Sequence, residues 1–239
     1  MKRALATLAL STLLIAATPT PFGGWAVVTV LDMPEYLEAG KATTLAFEIR
    51  RHGAVLLDDV SPTVTLRRPD AGFVSRMLER DRFGAERREG SAVYRATITP
   101  RDTGEVLITI DTDWNRWKVD LLPISVVASG EWPEPMSPTD RGRQLFVAKG
   151  CAGCHVKRDD PVLAERRAVP VGPELTGREY PPDWLAQKIA DPARLRGSSN
   201  RYGSDYGQMP NLGLDEEEIA AIVSFINEER VAAVEMEGW

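Results

Sequence analysis

The sequence predicts two domains of different class in one chain: an antiparallel β-sandwich followed by an all-α domain. Three observations carry this. Apolar residues recur at period two between residues 27 and 128, they recur at helical spacing between 139 and 234, and a proline-rich stretch, 129–138, divides the two. The 239 residues leave room for two modest domains of about 100 to 150 residues each.

The first 26 residues read as an export signal, with Lys2 and Arg3 ahead of the uncharged apolar run 4–17 and the break Thr18-Pro19-Thr20-Pro21. The run is shorter than the roughly 20 residues a spanning helix needs. Cleavage fits after Ala17 or within 23–26. The expected location is therefore periplasmic or otherwise extracytoplasmic, and an uncleaved signal or a partner complex would tie the protein to a membrane. Removing residues 1–26 takes the net charge from -6 to -8. With no basic block or basic–aromatic stripe, nucleic acid is not an expected partner.

Within 27–128 the clearest strand is 44–50, where Leu45, Phe47 and Ile49 alternate with Ala46, Glu48 and Arg50. Similar runs lie at 25–31, 63–67, 73–78, 93–99, 105–111 and 117–127, separated by turn residues such as Pro34, His52-Gly53, Ser61-Pro62 and Gly104. About seven short strands at this spacing predict an antiparallel sandwich. The segment 129–138, Ser-Gly-Glu-Trp-Pro-Glu-Pro-Met-Ser-Pro, reads as a semi-rigid linker.

Residues 139–234 switch to helical patterning. Ser137 and Pro138 predict a helix over 139–148, because serine caps and proline suits the first turn. Pro182-Asp183 opens a second helix, which Asp191-Pro192 ends. Asp215 with Glu218 gives a capping-box start to a last helix, whose apolar face is Ile219, Ile222, Val223 and Ile226. Residues 197–207 read as loop and 235–239 as an acidic tail.

Both cysteines of the chain fall in one motif, Cys151-Ala152-Gly153-Cys154-His155. Two cysteines in an exported protein could form one disulfide, and Cys-x-x-Cys could be a thioredoxin-like pair or half of a zinc site. A zinc site needs more ligands, yet His52 is the only other histidine, and the βαβ setting of a redox pair is missing. His52 itself sits at a turn with no neighbouring ligand type and reads as structural. Cys-x-x-Cys-His is the attachment sequence of c-type haem. Two thiols at this spacing reach the vinyl groups along one porphyrin edge, and the adjacent histidine is brought under the iron.

The surrounding motifs strengthen the case, and 139–234 resembles a class I monohaem cytochrome c. Gly142 and Phe146 match the glycine and aromatic that pack on the family's last helix, with Phe225 or Ile226 as the partner here. Gly172-Pro173-Glu174-Leu175-Thr176-Gly177 matches the family's Gly-Pro-x-Leu-x-Gly. That resemblance implies that the Pro173 carbonyl accepts the ring N–H of His155. Gly207-Gln208-Met209-Pro210 matches the family's ligand loop and implies Met209 as sixth ligand, so His155 and Met209 would hold the iron. Trp184 falls where the family has an aromatic at the haem edge.

Residues 25–66 resemble the YtkA-like/FixH-like β-domain of bacterial envelope proteins, through Val28-Thr29-Val30, Pro34, Ala39-Gly40-Lys41, 47–50 and His52-Gly53. Residues 94–106 resemble late strands of immunoglobulin-like modules. The arrangement also resembles subunit II of some terminal oxidases, but the cysteines and histidines of a dicopper site are missing from this β-domain.

These resemblances imply one covalent haem c and an exported carrier of single electrons, with the β-domain docking redox partner proteins. The alternative is a haem-bearing subunit of an extracytoplasmic oxidoreductase complex. No catalytic residue and no small-molecule substrate are evident, and a carrier is expected rather than an enzyme. Residues 139–214 hold 12 Lys/Arg against 9 Asp/Glu, and 215–239 hold 1 against 8, so the haem-bearing part is mildly basic beside an acidic tail.

Overall fold

The structure, a computed structural model, describes residues 24–69, 81–166, 168–194 and 209–228. Residues 1–23 of the expected export signal, the expected strand at 73–78, the loop at 197–207 and the tail at 235–239 lie outside the described residues.

Two sheets pack face to face, followed by a helical domain. The first sheet has the order β1 (Ala26–Val30), β3 (Thr43–Arg51), β8 (Val93–Ile98), β7 (Glu86–Arg87), with β4 (Val55–Leu56) also on β3. The second runs β2 (Tyr36–Glu38), β11 (Ile124–Val127), β9 (Gly104–Asp111), β5 (Thr63–Arg67), β6 (Asp81–Gly84), with β10 (Lys118–Asp120) also on β9. The described residues thus form eleven strands where the pattern predicted about seven. The extra ones are two to four residues long, too short to show alternation. The expected run at 117–127 is split into β10 and β11 at 121–123. All pairs are antiparallel except β2 with β11, so the predicted purely antiparallel sandwich is mixed at one edge.

The alternation in β3 has the expected consequence: Leu45, Phe47 and Ile49 are fully buried between the sheets. Strand β1 behaves differently, since all five of its residues are buried. Ala26, Val28 and Val30 join the sandwich core. Val27 and Thr29 point the other way, onto the helical domain. A strand covered on both faces reads as a continuous apolar run, which is why Ala-Val-Val-Thr-Val lacks clean alternation.

Helix α1 (Pro138–Ala148) starts where the Ser137 hydroxyl accepts the Asp140 N–H. Helix α2 (Pro182–Ala190) follows, then α3 (Glu216–Ile226). The Asp215 carboxylate caps α3 by accepting the Glu218 N–H at 2.8 Å. The reciprocal half of the capping box is not made, because the Glu218 side chain pairs with Lys149 instead.

Helices α1 and α3 cross at Gly142, where a Cβ would fall 1.9 Å from the Ala221 carbonyl oxygen, so only glycine allows the approach. Phe146 and Phe225 meet at this crossing with ring centroids 5.4 Å apart. Ile219, Ile222, Val223 and Ile226 are all buried, as their spacing predicts.

The proline-rich segment does not hold the domains apart. Lys149, itself buried, donates to the Leu31 carbonyl, and its own carbonyl accepts from the Thr29 hydroxyl. Arg50 donates to the same hydroxyl at 3.2 Å. Arg141 donates to the Met33 carbonyl at 2.8 Å, and Arg166 donates to the Asp120 carbonyl. The outer face of β1 and the end of α1 therefore form one packed interface. No described helix is long and apolar enough to cross a membrane.

Candidate haem-attachment site

The motif begins where α1 ends. Gly150 has a φ of 85°, and a Cβ there would lie 2.4 Å from Val27 Cγ1 and 2.7 Å from the Val28 carbonyl oxygen. Glycine is needed both for the left-handed turn and for the close approach of β1. Cys151–Gly153 then form a single 3-10 turn, closed by Gly153 N–H to Gly150 O at 3.0 Å and Cys154 N–H to Cys151 O at 3.1 Å. The turn carries both thiols on one short backbone loop and leads directly into His155, whose N–H also returns to Cys151 O.

A second segment runs alongside. Val169 N–H donates to Gly153 O, Gly172 N–H to Cys154 O and Leu175 N–H to Val156 O, at 2.7 to 3.1 Å. These bonds fix the Gly-Pro-x-Leu-x-Gly segment against the turn. His155 Nδ1 lies 2.9 Å from the Pro173 carbonyl oxygen. A carbonyl can only accept, so the proton sits on Nδ1 and Nε2 carries the free lone pair. A Cβ on Gly172 would stand 2.5 to 2.8 Å from His155 Cε1, Nδ1 and Nε2, so this glycine lies against the ring. Desolvation by the surrounding protein holds the imidazole below its ordinary pKa, opposed by the Pro173 bond.

Cys151 and Cys154 are free thiols rather than a disulfide. Burial pushes Cys151 up to about 12, helped by its neighbour Cys154. It pushes Cys154 up to about 11, against the Trp25 indole, which favours the thiolate. A thioredoxin-like pair lowers the pKa of its attacking thiol, so these values oppose that reading. Among the described residues no group of three or more His, Cys, Asp or Glu is placed to hold a metal ion.

Met209 is half-buried and packs against the apolar core that runs through both domains. Gly207 and Gln208 of its motif lie outside the described residues. Trp184 is 42% exposed and stacks on Tyr180 at 5.7 Å. The Asn227 side chain binds both the N–H and the carbonyl of Tyr180, tying the approach to α2 onto the end of α3. His52, read from the sequence as structural, packs between Trp25 and Trp114.

Sequence reasoning missed the charged groups that brace the site. Lys157 is buried, pairs with Asp159 at 3.1 Å and donates to the Ile226 carbonyl. Asp160 is fully buried, accepts from Arg143 at 2.7 Å, and also accepts the N–H groups of Val162 and Leu163. Arg143 and Lys157 both lie over the Phe225 ring, at 5.5 and 5.6 Å. The charge run Lys157-Arg158-Asp159-Asp160 is visible in the sequence, but which of its members point inward is not.

Compared with known proteins, the chain matches none of the curated ones. Residues 139–229 match the family model for Cytochrome c, which supports haem-based electron transfer by this domain.

Proposed function

We propose that this chain is an exported c-type cytochrome that passes single electrons through one haem c attached to Cys151 and Cys154. The observation that carries it is His155, fixed at Nδ1 by the Pro173 carbonyl and pressed by Gly172, with Nε2 left as the ligand atom beside two free thiols. These residues fit the group: a neutral imidazole with an oriented ring is the proximal ligand, and the two sulfurs are the covalent anchors. When bound, the haem supplies the one-electron couple. Pro173 holds the proton on Nδ1, Gly172 sets the ring plane, and the buried faces of α1 and α3 exclude water.

In this reading Met209 would hold the iron together with His155, and a neutral thioether beside a neutral imidazole would favour the reduced state. A filled site suits a carrier, since electron transfer needs little rearrangement of ligands. The β-domain, read as YtkA-like/FixH-like, docks the redox partner, and its surface for this lies away from the outer face of β1, which the helical domain covers.

Carbon monoxide separates carrier from enzyme. The reduced wild-type protein at neutral pH should bind it poorly, because Met209 must first be displaced. Fast, tight binding by the unmutated protein would show an open site and refute the carrier.

A further inference from the structure

The β-domain closes on the attachment turn at Gly150 and at two further glycines. A Cβ would lie 3.3 Å from Val27 at Gly153 and 3.5 Å from Cys154 Sγ at Gly53. Beside this contact the described residues leave an open cleft of about 660 Å³, with Val27, Gly150 and Gly153 in its lining. Small-molecule sites run from about 300 to 1,000 Å³. Leu107, Trp117, Val119 and Val162 also line it, so its walls are largely apolar. Val162 is 50% exposed.

Arg116, Lys118 and Arg166 line the same cleft, against a single acid, Asp120. Two of these charges are already matched: Lys118 pairs with Asp111 at 2.8 Å, and Asp120 pairs with Arg67 at 3.0 Å. Among the described residues Arg116 and Arg166 make no ion pair. Arg166 is half-buried, and its donation to Asp120 goes to the backbone carbonyl, not to the carboxylate. Burial pushes its guanidinium below the ordinary arginine range, opposed by the charge of Asp120. A cation drawn out of water without a counter-ion is costly, so the place calls for an anion.

The rim is built to stay in place. Asp113, Asn115 and Arg116 hold φ angles of 55°, 50° and 58°, uncommon for side chains of this kind. Thr112, fully buried, pins this turn by donating its N–H and its hydroxyl to the Trp117 carbonyl, at 3.1 and 2.8 Å. Both Arg116 and Trp117 therefore stand on a fixed turn.

We infer that this interdomain cleft binds a monocarboxylate with an apolar body, its head on Arg166 and Arg116 and its body against Trp117, Val119 and Val162. A guanidinium presents two parallel N–H donors that match the two oxygens of a carboxylate. Two unmatched cations suit one such head, and the apolar walls take a chain or ring that a fully hydrated ion lacks. The site does not depend on the haem reading.

The test uses the full-length reduced protein and octanoate as the probe. Isothermal titration calorimetry should show saturable binding at one site. Octylammonium keeps the chain and reverses the charge, while acetate keeps the charge and drops the chain. Each should bind about 10-fold more weakly or worse. Arg166→Gln should weaken octanoate about 10-fold. Equal affinities for octanoate and octylammonium, or wild-type affinity in Arg166→Gln, would overturn the site. A second measurement needs no variant and decides the matter should Arg166→Gln fail to fold. In nitrogen-15-labelled wild-type protein, octanoate should shift the Trp117 indole resonance and leave that of Trp132, which is 80% exposed, in place. No shift at Trp117, or equal shifts at both, would also overturn it.

Discussion

Gly172→Ala puts the smallest side chain where the structure has no room for one. Its Cβ would lie 2.5 Å from His155 Cε1, 2.7 Å from Nδ1 and 2.8 Å from Nε2, all inside van der Waals contact. Gly172 is not among the positive-φ glycines, so alanine meets no backbone penalty there and the cost isolates the contact. Alanine would even gain about 0.4–1 kcal/mol by restricting the unfolded chain. Against this, overpacking costs about 1–3 kcal/mol. A displaced ring also loses the 2.9 Å bond to Pro173, worth about 1 kcal/mol. The expected net loss is about 1–3 kcal/mol. Guanidinium unfolding, followed by the Soret band and by far-ultraviolet circular dichroism, measures it. The Soret transition should move to lower denaturant before the helical signal does, because the imidazole is released first. Wild-type midpoints in both signals would show that Gly172 does not press on the ring and would refute the reasoning.

Asp160→Asn leaves Arg143 facing an uncharged, fully buried amide at 2.7 Å. Arg143 keeps Asp140 and Glu228 as partners, so losing one charge-assisted bond should cost about 1.5–3 kcal/mol, read as a lower urea midpoint with unchanged slope. Ser137→Ala removes the α1 cap and should cost about 1 kcal/mol at neutral pH. The Ser137 hydroxyl also holds the Asp140 carboxyl below its ordinary 3.8. A depressed carboxyl contributes stability above the unfolded value and loses it as pH falls through the folded one. The deficit of Ser137→Ala should therefore shrink below about pH 3.8 in thermal melts. Met209→Ala should lose the weak red sulfur-to-iron band, lower the potential and bind carbon monoxide rapidly. A variant still slow to bind would remove Met209 from the ligand set.

Sequence periodicity was enough for the class of both domains, since β3 and α3 carry unbroken patterns that burial then obeys. Strands β2, β4, β6 and β7 escaped because two to four residues hold too little alternation to register, and the parallel pairing of β2 with β11 depends on partners far apart in the chain. Cys151, Cys154, His155 and Pro173 stood out because their motifs are local. What surrounds them did not, because those contacts cross domains: Val27 against Gly150, Gly53 against Cys154, Lys149 against Leu31. The continuous apolar run of β1 was the one local signal that something covers its second face. Proline content at 129–138 suggested separation, but proline sets the stiffness of a segment and not whether the domains it joins touch. The buried Lys157 and Asp160 had no signature, because a charge run on paper looks the same whether it faces solvent or the Phe225 ring.

The proposed carrier requires a haem bonded to Cys151 and Cys154. The most direct measurement is mass spectrometry of the proteolytic peptide spanning Cys151-Ala-Gly-Cys154-His155, taken from protein matured in an exporting host, denatured and treated with a thiol-alkylating reagent. The peptide should carry the mass of one haem and no alkyl group, because both sulfurs are already bonded. A peptide with two alkyl groups and no added haem would contradict the account.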